Sequence, residues 1–310
     1  MRRLAITAFA SCMLSLGLGQ AASAADIPVK YRPAAVPVAW NWSGFYVGAH
    51  LGAGWARKEW SHRPSSFAPS CVLFQVFGDC DPSEPGLGSH NAIGVLGGVQ
   101  AGFNWQFGAW VLGFEGQYSF ADLKGNHENS FSAARGLQVP IGAPPGSAFD
   151  QFNENQRLST NIKGIATIAG RIGLVSGPSD RTLFYVKGGA AYVREDFASA
   201  INASNLFCGP DCLLSSGNIT GLLSASQSRW GWMVGTGLEF GLFDNWSAKV
   251  EYDYLDFGSK TVTLDGSGCF VSTNSCFTFS RNFDIDQTIH VVKIGINYRF
   301  GYVGPVVASY

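Results

Sequence analysis

Hydrophobic and polar residues alternate with a period of two in eight segments of this chain. Over 45–60, Phe45, Val47, Ala49, Leu51, Ala53 and Trp55 form one set, and Tyr46, Gly48, His50, Gly52 and Gly54 the other. That period belongs to a strand with two unlike faces. Over 92–106, Ile93, Val95, Val99, Phe103 and Trp105 oppose Gln100, Asn104 and Gln106. Over 109–122, Trp110, Leu112, Phe114, Tyr118 and Phe120 oppose Glu115, Gln117 and Ser119. The pattern is weaker over 162–175, where Ile168, Ile172 and Leu174 oppose Lys163, Thr167 and Arg171. Over 183–194, Phe184, Val186, Ala190 and Tyr192 oppose Tyr185 and Lys187; over 230–240, Trp230, Trp232, Val234, Leu238 and Phe240 oppose glycines and Glu239. Over 245–257, Trp246, Ala248, Val250, Tyr252 and Tyr254 oppose Lys249, Glu251 and Asp253. The last segment, 288–300, sets Val292, Ile294, Ile296, Tyr298 and Phe300 against Lys293, Asn297 and Arg299.

The polar set carries glycine and charge, while the apolar set ends in aromatics. A soluble lipocalin-like barrel would turn its apolar set inward. The observed chemistry fits the opposite polarity, with lipid outside and a polar lumen. Each segment exceeds the roughly 9–11 residues that a tilted strand needs to span a bilayer. Three connections are short: 107–108, 176–181 and 241–244. The other four, near 61–91, 123–160, 195–228 and 259–287, are each about thirty residues long, a length usual only in functional or disordered loops. This asymmetry predicts an all-β, eight-stranded, antiparallel up-and-down transmembrane β-barrel with four long extracellular loops and both termini in the periplasm.

Composition supports strands over helices. The chain has 39 glycines and is 14% aromatic and 14% charged. Soluble domains average about 25% charged residues. The beginning reads as an export leader: Arg2 and Arg3, an apolar run from Leu4 to Leu18, then Ala22-Ser23-Ala24, with cleavage expected after Ala24. The run is short for a spanning helix, and Phe9-Ala10-Ser11 before Cys12 is a poor lipoprotein signal. Removing Arg2 and Arg3 from the 21 basic residues leaves 19 against 22 acidic ones, which argues against a nucleic-acid partner. Residues 25–43, with Pro28, Pro33 and Pro37, read as a Pro-rich periplasmic tether. Residues 44–300 form the barrel. Gly301 and Gly304-Pro305 break the alternation, so 301–310 reads as a periplasmic tail.

Six cysteines follow the leader, as Cys71 and Cys80, Cys208 and Cys212, Cys269 and Cys276. Each pair falls within one expected outer loop and outside the expected strands. An exported chain meets an oxidising compartment, so local disulfides are the favoured reading. Zinc binding is the alternative; only His62 and His90 lie near such a loop.

Three stretches carry a resemblance. These are Asn41-Trp42-Ser43-Gly44-Phe45-Tyr46-Val47-Gly48, the run Gly231-Trp232-Met233-Val234-Gly235-Thr236-Gly237-Leu238-Glu239 with Asn245-Trp246-Ser247-Ala248-Lys249-Val250-Glu251-Tyr252-Asp253-Tyr254 after it, and Ile294-Gly295-Ile296-Asn297-Tyr298-Arg299-Phe300. Together they resemble the small outer-membrane β-barrel proteins of alphaproteobacteria, the outer-membrane immunogenic or porin-family group, with the architecture of the OmpA transmembrane domain. The resemblance implies a Gram-negative outer membrane, contact with its lipid, and a barrel assembly machinery that reads the terminal aromatic of the last strand. Here ten residues follow Phe300. The cysteine-bearing loops also exceed the compact pattern of that group, so loop functions do not transfer.

An eight-stranded barrel leaves an interior that side chains fill. Glu115, Glu239, Glu251 and Asp253 would share it with Arg171, Lys187, Lys249, Lys293 and Arg299. Buried charges pair or stay hydrated, so a salt-bridged plug is favoured over a narrow ion path. No phosphate loop, metal motif, cofactor signature or catalytic triad stands in the chain, and no enzymatic role is expected. His50 reads as lumen filling. The runner-up is a surface binding protein of haem or host-contact type, its ligand unnamed. It would use stiffened loops bearing Phe67, Phe74, Phe77, Phe131, Phe207, Phe270 and Phe277.

Overall fold

The computed structural model describes residues 40–62, 87–136, 149–208, 214–271 and 274–300. The leader, residues 25–39, Cys71, Cys80, Cys212, Phe67, Phe74, Phe77 and the 301–310 tail lie outside the described residues. The strands are β1 (Gly44–His62), β2 (Ser89–Phe107), β3 (Trp110–Gly136), β4 (Phe149–Ser176), β5 (Thr182–Cys208), β6 (Leu214–Gly241), β7 (Trp246–Phe270) and β8 (Cys276–Phe300). They pair in chain order, all antiparallel, and β1 closes against β8. The closing register runs from Phe45 opposite Phe300 to His62 opposite Phe283.

At one end the connections are tight. Gly108, at φ +59, turns β2 into β3, a left-handed conformation that only glycine adopts without strain. A short 3-10 turn, Pro178–Asp180, joins β4 to β5. We call this the short-turn end and the other the long-strand end.

The alternation sorts side chains as the sequence pattern requires. Leu51, Ile93, Val95, Phe120, Ile168, Trp230 and Ile294 stand on the exterior, each more than 60% exposed. The polar set points inward. The exterior band begins at Phe45, Phe107, Trp110, Trp246 and Phe300 and ends at Trp55, Tyr192, Trp232, Tyr254 and His290. Aromatic residues therefore edge an apolar belt at both interfaces. Small interior residues make room for large ones. A Cβ at Gly237 would lie 2.3 Å from the Tyr185 ring, and one at Gly102 would lie 2.4 Å from the Tyr46 hydroxyl.

The strands differ from the sequence expectation in length. Four of them, β3 to β6, run to 27 or 28 residues, so most of the four long connections are strands that continue the barrel wall past the belt. Polar alternation on that stretch hid them, because a strand standing in water needs no apolar exterior. The wall shifts register near the belt's upper edge: between Phe120 and Leu123, between Ile162 and Gly164, and between Asp256 and Ser259. The β6–β7 ladder is likewise interrupted between Ser224 and Trp232. The irregularity in β4 reverses the facing of Lys163. Expected in the lumen, Lys163 lies outside and pairs with Asp196.

Val250 sits mid-belt on the outer face. Val250→Arg is expected to cost about 2–4 kcal/mol in a bilayer refolding titration. Thr263→Arg, outward but above the belt, should change stability by less than about 0.5 kcal/mol. Equal tolerance of both would invert the membrane assignment.

Candidate functional site

The inward residues of the belt converge on one network. Four carboxylates, Glu115, Glu239, Glu251 and Asp253, meet four cations, Arg171, Lys187, Lys249 and Lys293, every side chain at most 4% exposed. Glu251 is the centre. It lies 2.5 Å from Lys187, 2.7 Å from Lys293 and 3.3 Å from Lys249, and accepts hydrogen bonds from Tyr185 at 2.7 Å and Gln117 at 3.0 Å. Glu115 lies 3.1 Å from Lys249, 3.6 Å from Lys187 and 3.9 Å from Arg171, and the Tyr46 hydroxyl donates to it at 2.9 Å. Asp253 faces Lys293 at 2.5 Å and Lys187 at 3.2 Å. Glu239 lies 3.4 Å from Arg171 and accepts from Ser247 and Asn297. The Arg171 guanidinium also sits over the rings of Tyr46 and Tyr185, at 4.7 and 5.1 Å. The charges balance four against four, as a low-dielectric interior demands.

Two interior groups from the sequence pattern stand apart. Arg299 makes no ion pair among the described residues; its guanidinium lies 4.8 Å from the Trp40 ring. His50 is held between the Gln100 side-chain oxygen at 2.5 Å and the Ser119 hydroxyl at 2.8 Å.

Trp40 and Trp42, assigned to the tether by sequence, fold into the short-turn mouth. The Trp42 indole N–H donates to the Asp180 carbonyl at 2.9 Å, and the Trp40 amide donates to the Ser179 carbonyl at 2.8 Å. Both rings pack with Val111, Val175, Leu183 and Tyr185. The prolines before them gave no sign of this, since the partners, from Val111 to Tyr185, are distant in the chain.

Above the belt the interior alternates between apolar and charged layers. Ala56, Leu96, Leu123, Ile162, Met233, Leu255 and Phe257 form the first layer. A charged cluster follows: Lys58 pairs with Glu195 and donates to Gln287 at 3.0 Å, and Arg229 lies 2.9 Å from Glu195. Burial pulls the Lys58 ammonium down to about 8 against the attraction of Glu195. Burial, then the Lys58 charge, pulls neighbouring His90 down to about 4, so that imidazole is neutral at physiological pH. A second apolar layer holds Trp60, Leu158, Phe197, Leu223, Leu264 and Phe283. Arg281 then grips Glu154 through two contacts, at 2.7 and 3.2 Å. Sequence reasoning missed Glu154, Glu195 and Arg281 because their segments read as loops; Lys58 lies in the first alternating segment, on the same parity as Tyr46 and His50.

At the long-strand end, Cys269 and Cys276 are directly opposed in β7 and β8 and joined by a disulfide. Both were expected in a loop; Cys276 opens β8 and Cys269 is the last residue but one of β7, because both strands extend to the tip. Cys208 is the last residue of β5. Beside the disulfide, Phe270 and Phe277 lie 5.5 Å apart and Phe277 and Phe279 5.6 Å apart.

Residues 10–300 match the family of outer membrane protein beta-barrel domains. The chain belongs to that family. It is similar to the 31 kDa outer-membrane immunogenic protein of Brucella melitensis, with 29% identity over 286 residues, 90% of this chain and 93% of the relative. It is also similar to the 25 kDa outer-membrane immunogenic protein of Brucella abortus, at 25% identity over 283 residues, 90% and 91% of the two chains. Among solved structures, the outer membrane protein OprG from Pseudomonas aeruginosa matches at TM-score 0.35 and 11% identity, over 86% of this chain and 100% of that one. The chain is an outer-membrane β-barrel protein of a Gram-negative bacterium.

Removing the network's central acceptor leaves Lys187, Lys249 and Lys293 short of negative charge in a buried site. Glu251→Gln is expected to destabilise the refolded barrel by about 3–5 kcal/mol. Arg299→Gln, which breaks no ion pair among the described residues, should cost about 1 kcal/mol or less. Urea unfolding in lipid vesicles reads both; similar costs would deny the network its central place.

Proposed function

We propose that this barrel is a non-conducting, non-catalytic structural protein of the outer-membrane surface, its lumen closed by side chains. The observation that carries this reading is the neutral four-against-four network, buried across the belt. Trp40 and Trp42 at one mouth and the two apolar layers towards the other support it. Single-channel recording on the refolded full chain tests it. A flat trace in 1 M salt is expected; reproducible unit steps would establish a conducting path and refute the closed lumen.

We further propose that the long-strand end faces the cell exterior and that both termini face the periplasm. Relatives named as immunogenic suit an exposed end of this kind. The tip formed by the Cys269–Cys276 disulfide with Phe270, Phe277 and Phe279 favours a second reading, contact with an external ligand through a stiffened aromatic surface. During assembly, the machinery reads Tyr298-Arg299-Phe300; Phe300 stands half exposed at the belt's edge, its ring 5.7 Å from that of Phe45 across the closing seam. An epitope inserted between residues 137 and 148 should be labelled by antibody on intact cells. Adding Phe300→Asp should abolish the label, and deleting 301–310 should preserve it. Label found only after permeabilisation reverses the orientation, and loss on tail deletion moves the assembly signal to the tail.

A further inference from the structure

The exterior of the barrel wall carries a concavity of about 1010 Å³ just above the apolar belt, across β2 to β6. Strand register lays out its floor as two rows. Asn126, Ser159, Ala198 and Ser224 lie side by side in one, and Asn161, Asp196 and Ser226 in the other. These short side chains leave a hollow between longer neighbours. We propose that the hollow binds the saccharide headgroup of a glycolipid standing in the adjacent leaflet.

The cations lining the hollow stand beside carboxylates. Of the cations lining the hollow, Lys124 lies 2.8 Å from Asp122 and Arg157 lies 3.8 Å from Glu128. Lys163, beside it, is paired with Asp196. No surplus positive charge stands among these pairs to hold an anion. What the floor offers is neutral and two-sided: serine hydroxyls and asparagine amides each donate and accept. That is the chemistry that meets sugar hydroxyls. The Asn161 side-chain oxygen has no hydrogen-bond partner among the described residues, although it is buried. A turn of the Asn161 side chain towards the hollow would let a sugar hydroxyl satisfy that oxygen.

Position decides for a lipid over a free sugar. Ile93, 64% exposed, stands beside Lys124 in the same row. Tyr192 and Trp230 lie two outward positions below Asp196 and Ser226 on their own strands. A molecule with its sugar in the hollow has apolar wall directly beneath it for its acyl chains. The inference rests on the orientation proposed above, which sets the hollow against the outer leaflet; vesicles carrying the glycolipid in both leaflets test binding apart from that orientation.

The test uses the full chain refolded in phosphatidylcholine vesicles, with and without purified lipopolysaccharide in both leaflets. The readout is the temperature at which the heat-modifiable folded band is lost. Lipopolysaccharide is expected to shift that temperature upward. Ser159→Trp with Ser224→Trp, which fills the hollow, should abolish the shift; Thr263→Trp, elsewhere on the same exterior, should keep it. Should the filled variant not fold, Asn161→Leu removes the unsatisfied acceptor at similar volume and should reduce the shift. A full shift in the filled variant or in Asn161→Leu overturns the site. An equal shift from phosphatidylglycerol reduces it to an effect of charge, and an equal shift from lipid-free core oligosaccharide reduces it to sugar binding without the membrane; either overturns the proposal.

Discussion

Inside a bilayer every backbone N–H and C=O must find its partner within the protein. This constraint governs the whole molecule. It requires β1 to meet β8, and the ladder from Phe45–Phe300 upward leaves no open edge in the belt. A ring of eight strands is narrow, and period-two alternation sends half its side chains into that narrow interior. The outer half faces hydrocarbon and is apolar. The inner half has no lipid to face, and it is where charge can stand.

The interior solves an electrostatic problem that the ring creates. Carboxylates and cations in equal number sit within direct contact, and Tyr46, Tyr185, Gln117 and Asn297 donate further hydrogen bonds to the carboxylates. Such a network contributes less to stability than its short distances suggest, since desolvation offsets much of the attraction. Its stronger effect is on register. A one-residue slip of β7 or β8 would turn Lys249 and Glu251, or Lys293, into lipid and bring valine or isoleucine into the lumen.

Past the belt the same wall stands in water, and its rules change. Exterior residues become polar, the interior stacks apolar and charged layers, and irregularities in β3, β4 and β7 gather near the crossing. A bulge lets a strand reset which residues face inward. The β4 irregularity sends Lys163 out to Asp196 and keeps Ile162 inside, so it joins two differently patterned barrels into one wall. The hollow floored by Asn161, Ser159 and Ser224 lies on the watery side of this join, next to the apolar belt.

By itself the sequence determined the number of spanning strands, their facing and the shared interior of the nine charges, because alternation is local and lipid leaves no choice about which face is apolar. It could not show that eight of those charges close into a balanced network while Arg299 rests on Trp40, since that depends on which strands stand opposite across the lumen. Nor could it show that the connections around Glu154, Glu195 and Arg281 are barrel wall. Outside the membrane a strand may be polar on its outer face, so the amphipathic signal fades where the pairing continues. The tertiary structure alone placed Trp40 and Trp42 in the mouth, reversed Lys163, and put the expected Cys269–Cys276 pair in a strand ladder and not in a loop. Each follows from strand pairing and register, where backbone hydrogen bonds act and local pattern does not.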